Sequence, residues 1–263
     1  MKAPSFAYAK PRTLAEALEL LARHGEGARV LAGGQSLIPS LNMRLSSPEI
    51  LVDITGLRDF SNIEVLNGKV KVGALVTHCQ IEKSPEIRKH VPLLAQAVPH
   101  IAHAAIRNRG TLGGSLALAD PAAEYPACAV ALQASIVVSS VKGERRVKAE
   151  EFFKGLFETD LKQGEILTAV EFPTGGKSVF LELTRRHGDY AIVGVAAHES
   201  RFVFFGVGGT PVLVNTGKSL AETKAAVAKE LDPPADLYHS SATKLHLAGV
   251  LLERAWNTLS TSR

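Results

Sequence analysis

A chain of 263 residues, 46% of them hydrophobic, can bury a substantial core, and two packed regions within one compact molecule are expected. Its formal charge of +4 is slight for that length, and its basic residues stand among Glu, Gly and Asn, so it lacks the dense basic stripe that nucleic acid requires. Cys79 and Cys128, far apart and outside any C-x-x-C pattern, exclude a zinc site or an iron–sulfur cluster built from this chain alone, and both are expected as ordinary buried thiols.

The start, MKAPSFAYAKPRTL, has no apolar core of signal-peptide length, and no stretch reaches the roughly 18 apolar residues that span a bilayer, so a cytoplasmic location is expected. Thr13-Leu-Ala-Glu16 reads as a capping box opening an amphipathic helix with Leu14, Leu18 and Leu21 on one face and Gly25 at its end. Arg29 to Ala32 reads as a buried strand, Gly33-Gly34 as a turn, Ser36 to Leu45 as a short helix or irregular segment, and Ile50 to Ile54 as a strand. Ile63 to Leu66 and Lys69 to Val72 alternate apolar and polar residues around Asn67-Gly68, the pattern of a β-hairpin. Helical stretches are expected around Ile81 to His90 and Leu93 to Ile106, followed by a second glycine-rich loop, Arg109 to Ser115.

A helix from about Ala122 to Leu132 comes next, then strands at Ser135 to Val141, Arg145 to Lys148, Glu165 to Phe172 and Val179 to Thr184. Pro173-Thr-Gly-Gly176 is the clearest boundary. Beyond it, Ala191 to Ala197, Phe202 to Val207 and Pro211 to Val214 read as a three-stranded antiparallel sheet, followed by helices near Leu220 to Leu231 and His239 to Leu259, parted by Asp232-Pro-Pro234.

No G-x-G-x-x-G opens a helix after a strand, so the Rossmann dinucleotide fingerprint is missing. Gly176-Lys177-Ser178 and Gly217-Lys218-Ser219 resemble the end of a P-loop but lack its earlier glycine, and both read as turns. His100 and His103, three apart on an expected helix, have the minimal spacing for two metal ligands but no third nearby. No histidine sits in a G-x-S-x-G, H-E-x-x-H or Cys–His context, so any redox or transfer chemistry would belong to a cofactor.

Ala32-Gly-Gly-Gln-Ser36 and Thr111-Leu-Gly-Gly-Ser115 share a Gly-Gly pair followed by short polar residues. Glycine permits positive φ and leaves no Cβ in the way, so consecutive N–H groups can turn toward one anion, and hydroxyls of Ser36, Thr111 and Ser115 with the Gln35 amide can add hydrogen bonds. A pyrophosphate has oxygens enough for both loops. The residues alone leave each loop open as a plain tight turn or as half of a diphosphate cradle.

The run Leu31-Ala-Gly-Gly-Gln-Ser-Leu-Ile-Pro39, then Ile106-Arg-Asn-Arg-Gly-Thr-Leu-Gly-Gly-Ser-Leu-Ala117 with Ala119-Asp-Pro-Ala-Ala-Glu124, closely resembles the FAD-binding medium subunits of molybdenum hydroxylases, the class of aerobic carbon monoxide dehydrogenase and xanthine dehydrogenase. Thr184-Arg-Arg-His-Gly-Asp-Tyr-Ala-Ile-Val193 and the tail around His239-Ser-Ser-Ala242 extend the resemblance over essentially the whole chain. It implies an α+β fold: an FAD-binding domain of the vanillyl-alcohol-oxidase type over 1–173, with subdomains of about 1–55 and 56–173, and a C-terminal domain over 177–263 holding a three-stranded antiparallel sheet and helices. It implies FAD pyrophosphate contacts at Ala32, Gly33, Gly34, Gln35 and Ser36 and at Thr111, Gly113, Gly114 and Ser115. Glu124 is implied as a polar contact to FAD, the backbone near Leu167 as a flavin-ring contact, and Tyr190 as an aromatic neighbour of the ring.

The implied activity is that of an oxidoreductase subunit which passes electrons from the iron–sulfur clusters of a small partner subunit through FAD to an external acceptor, while a large molybdopterin subunit oxidises the substrate. The assembly expected is a heterotrimer or its dimer. Two other readings are a self-contained FAD-dependent reductase on the same fold, similar to the enzyme that reduces UDP-N-acetylenolpyruvoylglucosamine, and a scaffold subunit that has lost FAD.

Overall fold

The computed structural model describes residues 2–261, so the outermost residues of the two expected domains, Met1, Ser262 and Arg263, lie outside the described residues. The chain opens with β1 (Ala7–Ala9), α1 (Leu14–His24), β2 (Ala28–Leu31), α2 (Leu37–Asn42) and β3 (Ile50–Asp53). The strands form a parallel sheet in the order β1-β3-β2, with α1 burying Ala17, Leu18 and Leu21 against it. Thr13 caps α1 by accepting from the Glu16 N–H, but Glu16 reaches back to the N–H of Arg12, one residue before the position a capping box requires. β1, whose three residues Ala-Tyr-Ala carry no apolar alternation, was not expected, and β2 buries only Ala28.

β4 (Ile63–Leu66) and β5 (Lys69–Gly73) form the expected hairpin. The two helical stretches expected next are instead four short pieces, α3 (His78–Lys83), α4 (Pro85–His90), α5 (Pro92–Ala97) and α6 (Ala104–Arg107), with a 3-10 turn at Val98–His100. Pro85, Pro92 and Pro99 explain the breaks: each lacks an N–H and disfavours helical backbone in the residue before it. Ser84 caps α4 by accepting from the Ile87 N–H at 3.1 Å. The second glycine segment is itself helical, since Gly113 and Gly114 fall in the first turn of α7 (Leu112–Leu118), capped by Thr111.

α8 (Glu124–Ala131) is buried at every residue and forms the centre of the molecule. It is followed by β6 (Ser135–Ser140), β7 (Gly143–Lys148), α9 (Ala149–Phe152), the small ribbon β8 (Phe153–Gly155) and β9 (Glu158–Thr159), and β10 (Ile166–Pro173). A five-stranded antiparallel sheet results, in the order β4-β5-β10-β6-β7.

After the turn at Thr174 to Lys177 come β11 (Ser178–Leu183), β12 (Val193–His198), β13 (Arg201–Phe205) and β14 (Val212–Val214), then α10 (Leu220–Glu230) and α11 (Ser241–Thr261). The three antiparallel strands expected are present, and β11 adds a fourth by pairing with β12 from Ser178–His198 to Leu183–Val193. One face of this sheet carries α10 and α11; the other sends Phe180, Ala196, Val203 and Phe205 into the core around α8. The sheets therefore divide near residue 175 while the main core runs across that division.

Tyr125 of α8 is fully buried, and its hydroxyl has no hydrogen-bond partner among the described residues. Because an unpaired buried hydroxyl opposes folding, Tyr125→Phe is expected to leave the unfolding free energy within about 1 kcal/mol of the parent or raise it. Urea denaturation checks this; a loss well above that would show that the hydroxyl is bonded in solution, for instance to a buried water.

Candidate functional site

β1, β3 and β2 end side by side, and the chain at each carboxyl end enters one cleft: Lys10 after β1, Ala32 to Gln35 after β2, Asp53 and Thr55 at the end of β3. This is where open parallel sheets bind ligands. Thr77 and Gln80 at the start of α3, with Asn108, Arg109 and Thr111 before α7, form the facing wall. The cleft has a volume of about 950 Å³, and Leu31, Ile38 and Leu75 supply apolar surface inside it. Pockets for small molecules and cofactors run to about 1,000 Å³, so a dinucleotide-sized ligand fits.

The two glycine motifs meet backbone to backbone. A Cβ on Gly33 would overlap the carbonyl oxygen of Arg109, and one on Gly113 would lie 2.6 Å from the Ala74 Cβ. Gly34 has φ +74°, a region that side chains disfavour.

Their N–H groups are used differently. Around α7, Leu112 donates to Val76, Gly113 to Ala74, Gly114 to the Thr111 hydroxyl and Ser115 to the Thr111 carbonyl. Among the described residues, none of the N–H groups of Gly33, Gly34, Gln35 and Ser36 donates to a protein acceptor. The first motif thus keeps four consecutive donors free, as an anion cradle needs, while the second spends its donors on holding its own shape and leaves the Ser115 hydroxyl without a partner among the described residues.

Of the residues singled out from sequence, Ala32, Gly33, Gly34, Gln35 and Thr111 line the cleft. Ser36 sits exposed at the start of α2 without capping it, and Gly113, Gly114 and Ser115 lie within the first turns of α7; none of these four lines the cleft. Glu124, Leu167 and Tyr190 are not in the cleft wall. Leu167 is a core side chain at a bulge where the pairing of β10 with β6 shifts, and Tyr190 is 70% exposed. Glu124 is buried, and desolvation, with some help from its neighbours Glu182 and Asp120, pushes its carboxyl up to about 8. Partial desolvation, with smaller contributions from Asp120 and Glu124, also raises the phenol of the largely exposed Tyr190. α7, seven residues and about 10 Å long, separates Thr111 of the cleft wall from Asp120 along the chain.

Sequence reasoning missed Lys10, Asp53, Thr55, Thr77, Gln80, Asn108 and Arg109. The available signal was Asp53, an acid inside the apolar run Ile50 to Ile54, at the carboxyl end of a parallel strand. It accepts from the Thr55 N–H at 2.8 Å and hydroxyl at 2.6 Å and from the Tyr8 hydroxyl, with Lys10 Nζ at 3.7 Å. Burial alone would push this carboxyl up, but those bonds and Lys10 hold it below its usual range, so it is charged at neutral pH. His100 and His103 do not share a helical face: His100 ends a 3-10 turn and bonds Glu182, while His103 precedes α6 in extended backbone. Cys128 is buried as expected, but Cys79 is only half-buried.

Since a side chain at 33 or 113 would separate packed backbone, Gly33→Ala and Gly113→Ala are each expected to cost up to about 3 kcal/mol of folding stability, the upper end of overpacking costs. Denaturant unfolding of the ligand-free chain measures it, and an unchanged midpoint for both would contradict the backbone contact.

Residues 4–175 match the family profile described as the FAD binding domain in molybdopterin dehydrogenase. The chain is 35% identical to the 6-hydroxypseudooxynicotine dehydrogenase complex subunit alpha of Paenarthrobacter nicotinovorans, across 97% of this chain and 94% of that one. Its fold is similar to a chain of quinoline 2-oxidoreductase from Pseudomonas putida 86, with a TM-score of 0.92 and 36% identity over 99% of this chain and 98% of that one. A chain of reconstituted CO dehydrogenase from Oligotropha carboxidovorans superposes with a TM-score of 0.94 and 30% identity, covering 100% of both. With the profile spanning most of its length and relatives aligned from end to end, the chain belongs to the family of FAD-binding medium subunits of molybdenum hydroxylases.

Proposed function

We propose that this chain is the FAD-binding, electron-transferring medium subunit of a molybdenum-containing hydroxylase or dehydrogenase. It stands between the iron–sulfur clusters of a small partner subunit and an external electron acceptor, and a large molybdopterin subunit oxidises the substrate. The observation that carries this reading is the run of four unspent N–H donors, Gly33 to Ser36, beside a cleft of dinucleotide size flanked by Lys10 and Arg109. FAD supplies the one- and two-electron chemistry that this chain's side chains lack.

In this reading the N–H groups of Gly33 to Ser36, with Ala32 beside them, hold the diphosphate, Lys10 and Arg109 offset its charge, and the hydroxyls of Thr111 and Ser115 add contacts from the second motif. Gly113 and Gly114 keep α7 close enough for those hydroxyls to reach. α7 then sets the distance to the flavin end, where Glu124, the backbone at Leu167 and Tyr190 are assigned, and the bulge at Leu167 supports this by loosening the ladder there. The FAD-binding domain is assigned to 1–173, with subdomains of about 1–55 and 56–173, and the C-terminal domain to 177–263; the division of the sheets supports this partition. A heterotrimer or its dimer, working in the cytoplasm, is the assembly proposed; among the described residues no helix is long and apolar enough to cross a membrane. Because relatives are named for quinoline, carbon monoxide and a nicotine derivative, substrate choice is assigned to the other subunits.

Titration of the chain with FAD and FMN, followed by flavin fluorescence, tests the assignment. One-to-one FAD binding, much weaker FMN binding, and about a tenfold loss of FAD affinity in Arg109→Ala at unchanged melting temperature are expected, the last being the cost of one charge-assisted contact. A folded chain that ignores FAD, or binds FMN equally well, would contradict the diphosphate cradle.

A further inference from the structure

An acid stands in a cleft suited to anions. Of the described residues that line it, Lys10, Arg109 and Asp53 carry charge, two cations against one carboxylate. Asp53 ends β3, the middle strand of its sheet, and the parallel pairing of Ala9 with Val52 and of Leu31 with Asp53 sets it between Lys10, the residue after β1, and Leu31, which leads into the glycine cradle. Neighbouring strands lie about 4.8 Å apart, so the acid is within about 10 Å of both the cation and the start of the cradle. The Ile54 N–H donates to the Leu31 carbonyl at 3.0 Å, tying the strand of the acid to the strand that feeds the cradle.

This carboxylate is held in place on all sides. Its side chain is only 9% exposed, Thr55 donates to it through both its N–H and its hydroxyl, and Tyr8 donates through its own hydroxyl. Burial opposes its ionisation, and these donors together with Lys10 outweigh burial. Tyr8 and Lys10 are two residues apart along one extended segment, so both reach the carboxylate from the same face. The Lys10 side chain is 52% exposed, and its Nζ stands 3.7 Å from Asp53 Oδ2, too far for a hydrogen bond, so the ammonium keeps its donors for a ligand. Glu16, Glu19 and Arg23 border a second, smaller depression with Lys10 and do not line the cleft.

We propose that Asp53 is a specificity-determining residue, whose fixed charge beside the cradle makes the cleft select a diphosphate esterified at both ends, as in a dinucleotide, over nucleotides that end in a free phosphate. The inference rests on the diphosphate cradle proposed above and deepens it. A diphosphate diester carries two negative charges; a nucleoside diphosphate with its terminal phosphate fully ionised carries three, and a triphosphate four. Free N–H donors and cations attract each of these more strongly as its charge rises, so by themselves they favour the more highly charged ligand. A fixed carboxylate opposes that trend, because its repulsion grows with every charge added. Across about 5–10 Å in a cleft open to solvent, the repulsion amounts to about threefold in affinity per added ligand charge.

Calorimetric titration of the full chain with ADP-ribose, ADP and ATP, at pH 8 in low salt and without divalent metal, tests the role of Asp53, with ADP-ribose as the two-charge probe. In Asp53→Asn, checked for parent-like circular dichroism, affinity relative to ADP-ribose is expected to rise about threefold for ADP and about tenfold for ATP. Lys10→Met is expected to move the same two ratios the opposite way by similar factors. A purely structural role would weaken all three ligands together, so ratios in Asp53→Asn equal to those of the parent would overturn the proposal, as would a parent that binds none of the three. Should Asp53→Asn fail to fold, Lys10→Met, altered at a half-exposed side chain, carries the test, and unmoved ratios there would overturn it equally. A chain that shows this charge series but binds no FAD keeps the role of Asp53 and removes the flavin reading. One that binds FAD while Asp53→Asn leaves the ratios unmoved sinks the role of Asp53 and leaves that reading standing.

Discussion

The site depends on the close approach of two pieces of backbone, the chain at Gly33 and the carbonyl of Arg109, which only a residue without a side chain allows. That contact brings the carboxyl end of a parallel sheet against the start of α7, although nearly 80 residues of helix and hairpin separate them in sequence. Short-range repulsion is steep and a carbonyl cannot swing aside as a side-chain tip can, so one methyl group would part the two walls.

From this follows a division of labour between two motifs that look alike. The second is closed on itself: its amides bond to Ala74, Val76 and Thr111, and Gly113 lies against Ala74, so it works as a rigid wall. The first keeps its amides free, next to Lys10 and Arg109, so an arriving anion finds donors that need no rearrangement. Desolvated donors gain the most from a charged acceptor.

Much of the fold was legible because its signals are local. The Asn67-Gly68 hairpin, the Thr13 cap, β6, β10 and the two C-terminal helices each announce themselves within a dozen residues. What escaped depends on distant partners or on backbone detail. β1 is a strand only because β3 lies beside it, and the stretch from Ile81 to Ile106 carries helical periodicity that its prolines cut into pieces. In the site, the glycine pairs and Thr111 could be read, but the unequal use of their amides could not, since it depends on the carbonyls of Ala74 and Val76 in the segment after β5. Lys10, Asp53 and Arg109 look like ordinary surface charges until the ends of the strands are placed together.

The central claim is that the first glycine motif supplies the anion-binding donors and the second supplies the wall. Amide-resolved NMR of the ¹⁵N-labelled chain during titration with FAD tests it most directly. The account expects the amides of Gly33, Gly34, Gln35 and Ser36 to shift strongly and become protected from solvent exchange, while those of Leu112 to Ser115, already bonded within the chain, change little. Large shifts confined to Leu112 to Ser115, with Gly33 to Ser36 unmoved, would contradict it.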